Sequence, residues 1–175
     1  MERGEVTKPE LIEQRFYRFC RDQGFPELHE ELNETYIQEL SKRGELIHGA
    51  REVLEELAKD YKLALATNGV SRIQKGRLEA SGIGKYFNAI LISEDTGYEK
   101  PHKGFFNAMI DKLGDVPLRE ILFIGDSLSS DMPGALDYGL LTCWYNPRGE
   151  KTNLGVHSII KTLEEIPQCI KRFAD

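Results

Sequence analysis

The apolar residues of this chain follow two different rhythms. Up to about residue 42 they recur every three or four positions, which is the period of an amphipathic helix. Beyond Gly49, short and nearly continuous apolar runs alternate with further helical stretches. Because strands buried on both faces read as such runs, the second rhythm indicates βαβ units and a parallel sheet. The pattern predicts an α/β protein that begins with a helical unit.

Turn residues such as Asn68-Gly69 separate the predicted elements. The predicted helices span residues 9–21, 27–42, 50–59, 71–81, 103–113 and 131–138. The predicted strands span residues 63–66, 89–92, 121–124 and 141–145. In the first two helices the predicted apolar faces consist of Leu11, Ile12, Phe16, Phe19, Leu28, Leu32, Tyr36, Ile37 and Leu40. At 175 residues the chain fits one domain with a small appendage.

Composition and charge narrow the functional classes. The net charge is -6, and Lys and Arg are interspersed with Asp and Glu, which disfavours nucleic-acid binding. No apolar stretch approaches the roughly 20 residues of a membrane span, and the N-terminus lacks the apolar segment of a signal peptide. The distant Cys20, Cys143 and Cys169 favour buried thiols over disulfides or a zinc site. We therefore expect a soluble cytoplasmic protein that binds neither nucleic acid nor membrane.

Two carboxylates follow the third predicted strand. Its apolar run stops at Gly125, and Asp126 and Asp131 come next, five positions apart. Ligands of open parallel sheets bind at the carboxyl ends of the strands, so both carboxylates are expected at a binding edge. Carboxylate oxygens are ligands that Mg²⁺ prefers. The loop is a candidate magnesium site, and by itself it also reads as a turn with an acidic helix cap.

Polar residues mark two other positions at the same predicted edge. Thr67-Asn68-Gly69 offers a hydroxyl and turn N–H groups that either hold a phosphoryl oxygen or form only a tight turn. Lys100-Pro101 precedes the helix predicted at 103–113, where a fixed ammonium would balance the charge of a phosphate. Alone, Lys100 also reads as a solvated surface lysine. The occurrence of all three features in one order favours phosphate chemistry.

In that order, Thr67, Lys100 and the pair Asp126 and Asp131 resemble the second, third and fourth motifs of the haloacid dehalogenase-like superfamily of phosphohydrolases. The segments Thr67-Asn68-Gly69, Ser93-Glu94-Asp95-Thr96-Gly97 and Gly125-Asp126-Ser127 resemble its branch of nucleoside 5'-monophosphate phosphatases. The resemblance implies a Rossmann-like three-layer α/β/α parallel sheet with a helical cap. Residues 1–46 correspond to part of that cap, and residues 47–175 to the core.

The resemblance also implies roles for individual residues. Thr67, Asn68 and Lys100 would bind the substrate phosphate, and Thr67 and Lys100 would act in catalysis. Asp126 would bind Mg²⁺ directly, and Asp131 would bind the ion or position its water. The implied function is a magnesium-dependent phosphatase that acts on a small phosphorylated metabolite, in particular a nucleoside 5'-monophosphate.

One element of the superfamily does not occur in this sequence. Its first motif is an apolar strand that ends in Asp-x-Asp, and the first Asp attacks phosphorus. In the superfamily this strand lies between those that correspond to residues 63–66 and 121–124. We therefore expect a truncated form with little or no activity alone, with weak or no Mg²⁺ binding, and with exposed strand edges that favour self-association.

Two alternatives stay open at this point. The missing nucleophile is compatible with a non-catalytic α/β module that keeps the fold for binding or interaction. Within the superfamily, a 2-haloacid dehalogenase is the other alternative. Dehalogenases work without a metal, and the position that corresponds to Asp126 is not a metal-binding acid in them, so the pair Asp126 and Asp131 favours a phosphatase.

Overall fold

The computed structural model describes the backbone of residues 8–173 and the side chains of residues 14–173. Its helices are α1 (Lys8–Gln23), α2 (His29–Ser41), α3 (Ala50–Leu57), α4 (Ser71–Ser81), α5 (Ser93–Thr96), α6 (Lys103–Leu113), α7 (Asp131–Tyr138) and α8 (Ile166–Lys171). Its strands are β1 (Ala64–Thr67), β2 (Ala89–Ile92), β3 (Leu122–Gly125), β4 (Leu141–Tyr145) and β5 (Ser158–Ile160).

The strands form two parallel sheets within this part of the chain. One sheet has the order β1-β2, with Thr67 beside Ile92, and the other has the order β3-β4-β5, with Gly125 beside Trp144. β1 and β3 are not paired with each other. Because each pairing is parallel, the strands of a sheet end at the same edge, and the loops that follow β1 and β3 leave from these carboxyl edges.

Helices cover both faces of the strands. Phe105, Phe106 and Met109 of α6 pack with Met132 of α7 against one face, in a cluster that includes Phe123. On the opposite face, a second cluster is formed by Val53, Leu57, Cys143, Ile160, Ile166 and Cys169. The three layers confirm the predicted α/β/α class. The three cysteines are free and buried, as expected.

Most predicted elements agree closely with the structure. The bounds of α4, α6, α7, β2 and β4 coincide with the prediction, whereas β1 and β3 lie one residue later than predicted. The predicted helix at 27–42 begins as a 3-10 turn, Pro26–Leu28, before α2. The sequence pattern missed β5 and α8, since three and six residues are too few to show a clear period.

The two N-terminal helices form a hairpin that lies against α4. Gly76 of α4 lies so close to Ser41 that a Cβ there would come within 2.7 Å of the Ser41 Cβ and carbonyl oxygen. The predicted cap, residues 1–46, and core, residues 47–175, stay predictions; residues 1–7 and 174–175 lie outside the described residues. None of the helices between residues 8 and 173 combines the length and apolar content needed to cross a bilayer.

Candidate active site

Lys100 and Asp131 form a buried ion pair at the carboxyl edge. The Lys100 Nζ lies 2.8 Å from Asp131 Oδ1, and each side chain is 8% exposed. The same ammonium donates a hydrogen bond of 2.8 Å to the carbonyl of Ala66 in β1. It also lies 5.6 Å from the ring centre of Phe123 and 5.8 Å from that of Phe105. Lys100 is thus a desolvated cation with several partners, rather than a solvated surface lysine.

Asn68 fixes the main chain of Lys100. Its Nδ2 donates to the Lys100 carbonyl at 2.9 Å, and its Oδ1 accepts from the Lys100 N–H at 2.9 Å. The Lys100-Pro101 peptide bond that follows is cis. Two opposed hydrogen bonds hold the segment against the end of β1, as a paired strand residue would. Sequence reasoning did not find this contact, because Asn68 and Lys100 are 32 positions apart.

Asp131 is held from both of its carboxylate oxygens. Oδ1 contacts Lys100, and Oδ2 accepts a hydrogen bond of 3.1 Å from the N–H of Ser127. Gly125 permits this arrangement, since a Cβ at that position would lie 2.5 Å from Asp131 Oδ2. The contacts with Lys100 and Ser127 therefore fix the orientation of the Asp131 carboxylate against the loop that follows β3.

Asp126 differs from Asp131 in exposure. Its side chain is exposed, whereas its carbonyl accepts a hydrogen bond of 3.0 Å from Trp144 Nε1 on the neighbouring strand β4. Trp144 thus combines a core position with a polar contact that orients the Asp126 main chain. The sequence indicated only the core position.

The two carboxylates suit part of a magnesium site. Mg²⁺ prefers octahedral coordination by oxygen and keeps several waters. Asp126 offers an exposed carboxylate, while Asp131 is already engaged by Lys100 and Ser127. Among the side chains of residues 14–173 there is no cluster of three or more His, Cys, Asp or Glu residues that would hold a metal. The donor set therefore fits a hydrated ion bound through Asp126, with Asp131 as a water-positioning partner.

Side chains from the end of β2 support the loop that contains Thr67. The buried Ser93 hydroxyl accepts a hydrogen bond of 3.2 Å from the N–H of Gly69, and Glu94 Oε2 accepts one of 2.7 Å from Ser71. Asp95 pairs with Lys75 at 3.0 Å, and the proximity of the Ser71 side chain and of this ammonium lowers the pKa of the Asp95 carboxyl. These acidic residues brace the loop and the start of α4. The phosphate-binding roles of Thr67 and Asn68 stay predictions.

Comparison with known proteins identifies the family of this chain. Residues 8–145 match the family model described as haloacid dehalogenase-like hydrolase. This chain therefore belongs to the haloacid dehalogenase-like hydrolase family.

Three curated relatives show the range of similarity. YfnB of Bacillus subtilis, named as a HAD-hydrolase, is 36% identical over 146 residues, which are 83% of this chain and 62% of YfnB. The pyrimidine 5'-nucleotidase PynA of Streptococcus pneumoniae is 36% identical over 84% of this chain and 62% of its own length. The pyrimidine 5'-nucleotidase YjjG of Escherichia coli is 31% identical over 79% of this chain and 63% of its own length. The chain thus spans less than two thirds of these relatives.

Solved structures agree with the family. The crystal structure of YfnB bound to magnesium has a TM-score of 0.86 at 34% identity and covers 97% of this chain and 75% of that one. The 2-haloacid dehalogenase from Pseudomonas syringae has a TM-score of 0.70 at 23% identity and covers 98% of this chain and 84% of its own. At 23% identity, the similarity to the dehalogenase supports the fold of this chain and no functional assignment.

Proposed function

We propose that this chain carries the metal- and phosphate-binding part of a magnesium-dependent phosphatase for small phosphorylated metabolites. The observation that carries the proposal is the buried ion pair of Lys100 and Asp131, together with the exposed Asp126 on the loop between β3 and Asp131. A desolvated cation paired with one carboxylate, with a second and exposed carboxylate on the same loop, suits a phosphate monoester and its counter-ion, because the buried charges act in a low dielectric.

In this proposal each site residue has a separate role. Thr67, at the end of β1, orients the phosphoryl group through its hydroxyl, and Lys100 stabilises the negative charge that develops on the phosphoryl oxygens. Asn68 keeps the Lys100 main chain in place through its two hydrogen bonds. Asp126 and Asp131 would hold Mg²⁺, which neutralises phosphate charge when bound.

We further propose that the attacking carboxylate comes from outside these 175 residues. No Asp-x-Asp segment follows an apolar run in the sequence. Asp131 is committed to Lys100 and Ser127, which makes it a poor nucleophile. The chain alone is then expected to bind phosphate and Mg²⁺ weakly and to turn over little or no substrate.

The proposed substrate class is a nucleoside 5'-monophosphate. Two relatives that align with about four fifths of this chain are named pyrimidine 5'-nucleotidases. Other relatives are named N-acylneuraminate-9-phosphatase and ribulose-1,5-bisphosphate 5-phosphatase, at 30–36% identity over shorter stretches. Phosphate monoester chemistry is common to these names, which favours it over dehalogenation. A non-catalytic module is the other candidate, because the absence of an Asp-x-Asp segment in this sequence is equally compatible with a protein that does not catalyse a reaction.

Phosphate release tests the proposal. The purified chain, supplied with Mg²⁺ and a set of nucleoside monophosphates, is expected to show no turnover above that of its Asp126→Asn variant. A longer form that adds an Asp-x-Asp strand should be active, and Lys100→Met should lower its activity by about 10²–10³-fold. Glu79→Gln, at an exposed position of α4, is the matched control and should leave the activity unchanged.

Two results would contradict this function. Halide release from a 2-haloacid by the longer form without metal would identify a dehalogenase. An inactive longer form that still folds and binds Mg²⁺ through Asp126 would favour the non-catalytic module.

A further inference from the structure

One peptide unit at the start of the loop after β3 is held on both of its sides. The Asp126 carbonyl accepts a hydrogen bond of 3.0 Å from Trp144 Nε1, and the Ser127 N–H donates one of 3.1 Å to Asp131 Oδ2. This carbonyl and this N–H belong to the same planar trans peptide, in which they point in opposite directions. The peptide plane therefore cannot turn without the loss of both hydrogen bonds.

The indole of Trp144 is fixed independently of this loop. Trp144 lies on β4 beside Gly125, the last residue of β3, and it is 2% exposed within the core cluster on the side of α6 and α7. A large ring packed at the density of a protein core has little freedom to move, so its N–H is a rigid donor. The donor thus belongs to the core, whereas the acceptor belongs to the loop that carries Asp126 and Asp131.

The same loop is also fastened to itself around Ser127. The Ser127 hydroxyl accepts hydrogen bonds of 3.3 and 3.0 Å from the N–H groups of Ser129 and Ser130. The Ser127 carbonyl accepts one of 3.2 Å from the N–H of Asp131. These bonds give the turn its shape, but they do not orient it relative to the sheet. The bond from Trp144 supplies that orientation, because it joins the turn to β4.

The clamped peptide also connects Trp144 with Lys100. Asp131 receives the Ser127 N–H on Oδ2, and its Oδ1 lies 2.8 Å from the Lys100 Nζ. A hydrogen-bonded chain thus runs from the indole through one peptide and one carboxylate to the buried ammonium. Because hydrogen bonds in such a chain polarise one another, loss of the first weakens those that follow. Trp144 therefore orients Asp126 through its own main chain and Asp131 through Ser127.

We propose that Trp144 is a positioning residue for the candidate magnesium site, and that its indole N–H, apart from the bulk of its ring, sets the affinity of the site for Mg²⁺. This inference rests on the metal-binding part of the proposed function. Mg²⁺ requires near-octahedral oxygen geometry, so a carboxylate whose main chain is free to turn binds it less well. The alternative is a purely structural hydrogen bond, which satisfies a buried donor and has no effect on the metal.

The single tryptophan of the chain allows the N–H to be tested by itself. Biosynthetic replacement of tryptophan by benzothienylalanine puts a sulfur atom in place of the N–H, keeps the shape of the ring and alters only Trp144. In the ¹⁵N-labelled 175-residue chain, Mg²⁺ added at constant ionic strength should shift the amide resonance of Ser127. The replaced protein should bind Mg²⁺ about tenfold more weakly, the size expected for one hydrogen bond that orients a metal ligand.

A pair of ordinary variants separates positioning from stability. Trp144→Phe removes the donor together with part of the ring, and it should lower both the Mg²⁺ affinity and the urea midpoint of unfolding. Leu140→Ala is the matched control, because Leu140 is 2% exposed in the same cluster and its side chain has no donor. This control should lower the urea midpoint and leave the Mg²⁺ affinity unchanged.

The indole provides a spectroscopic signature of its own. Trp144 gives the one indole N–H resonance of the chain, and this resonance should move with Mg²⁺ at the same midpoint as the Ser127 amide. In Asp126→Asn both movements should disappear, since the ligand that draws the ion to this peptide is then lost.

Two results would overturn this inference alone. These are an unchanged Mg²⁺ affinity in the benzothienylalanine protein, and a loss of affinity in Leu140→Ala as large as that in Trp144→Phe. Both leave the metal site and the proposed phosphatase intact. Absence of any Mg²⁺-dependent shift in the unaltered chain, or persistence of the shifts in Asp126→Asn, would overturn the inference together with the metal-binding part of the proposed function.

Discussion

The helical hairpin of α1 and α2 and the helices of the α/β core both carry apolar faces, but they bury those faces to different extents. In the core, Phe105, Phe106 and Met132 are fully buried between helices and strands. In the described part of the hairpin, Cys20 is the one apolar side chain that is fully buried, and Phe19 is 58% exposed. Side chains on the apolar face predicted for residues 27–42 are likewise partly exposed: Leu28, Leu32 and Tyr36.

The difference shows what an amphipathic pattern does and does not determine. The pattern identifies the side of a helix that is able to bury apolar surface. Burial itself requires a second surface, which the sheet supplies for α6 and α7. The hairpin touches the core mainly through α4, so only a narrow strip of it is covered. Substitutions in the two regions should therefore have very different costs.

The largest contrast is expected between Phe106→Ala and Phe19→Ala. The Phe106 ring packs against Phe123, with ring centres 5.6 Å apart, and is completely buried. Its loss leaves a cavity and should lower the free energy of unfolding by about 3–5 kcal/mol. Phe19→Ala should change it by less than about 0.5 kcal/mol. Urea unfolding measures both, and equal costs would contradict the contrast.

The next largest effect concerns the buried ion pair. Asp131→Asn keeps the size of the side chain but leaves the Lys100 ammonium without a counter-charge in the core. The expected loss is about 1.5–3 kcal/mol, the value of a hydrogen bond to a charged group. Asp137→Asn, on the exposed side of the same helix, is the control and should be nearly neutral. Similar costs for the two variants in urea unfolding would mean that burial of the pair has no energetic weight.

A smaller effect is expected where the hairpin meets the core. Gly76→Ala places a Cβ against Ser41, and the overpacking cost of about 1–3 kcal/mol exceeds the gain of about 1 kcal/mol in helix propensity. Amide exchange in α2 should accelerate, while that in β4 should not change. In Gly84→Ala the nearest atom lies 3.8 Å from the new Cβ, so this variant should leave exchange in α2 unchanged.

The smallest effect is a pH dependence of the hairpin. Arg72 of α4 donates two hydrogen bonds, of 2.8 and 2.6 Å, to Glu34 of α2, and this pairing lowers the pKa of Glu34. A carboxyl whose folded pKa is depressed stabilises the contact above its unfolded value, near 4.3, and loses that contribution as the pH falls through the folded value. Protection of α2 amides should thus decrease as the pH falls below about 4.3.

The variant Arg72→Gln removes the partner of Glu34 and so tests whether this carboxyl causes the pH dependence. It should flatten the pH dependence of α2 protection, and added salt should mimic it in the unaltered protein, because the pair is exposed and screened. Lys75→Gln, one turn along α4, is the control, because the charge that it removes pairs with Asp95 and not with the hairpin. An unchanged pH profile in Arg72→Gln would assign the dependence to other groups.

Much of the fold was predictable because its elements carry local signals. The bounds of α4 and α6 follow from turn residues and helical period, and those of β2 from a short apolar run. The short β5 and α8 were not predictable, since their residues are ordered by packing against β4 and α3. The likeness of Asp126 to a metal ligand was also local, because Gly125-Asp126 directly follows a strand.

The environment of those site residues was not predictable. Lys100 lies 31 positions from Asp131 and 34 from Ala66 in the sequence, and only the folded sheet brings the three together. The same is true of the Asn68 amide on the Lys100 main chain. Hydrogen-bond partners of this kind depend on distances between elements, which have no period along the chain.

The sequence by itself determined the class of the protein, the sequence positions of most helices and strands, and the candidate residues for a phosphate and magnesium site. These properties follow from local steric preferences, from apolar period and from side-chain chemistry. Only the tertiary structure decided which apolar faces are covered, that Lys100 is buried against Asp131, and that the Trp144 indole donates to the Asp126 carbonyl. Those properties arise from contacts between distant segments, whose energies depend on packing and desolvation in three dimensions.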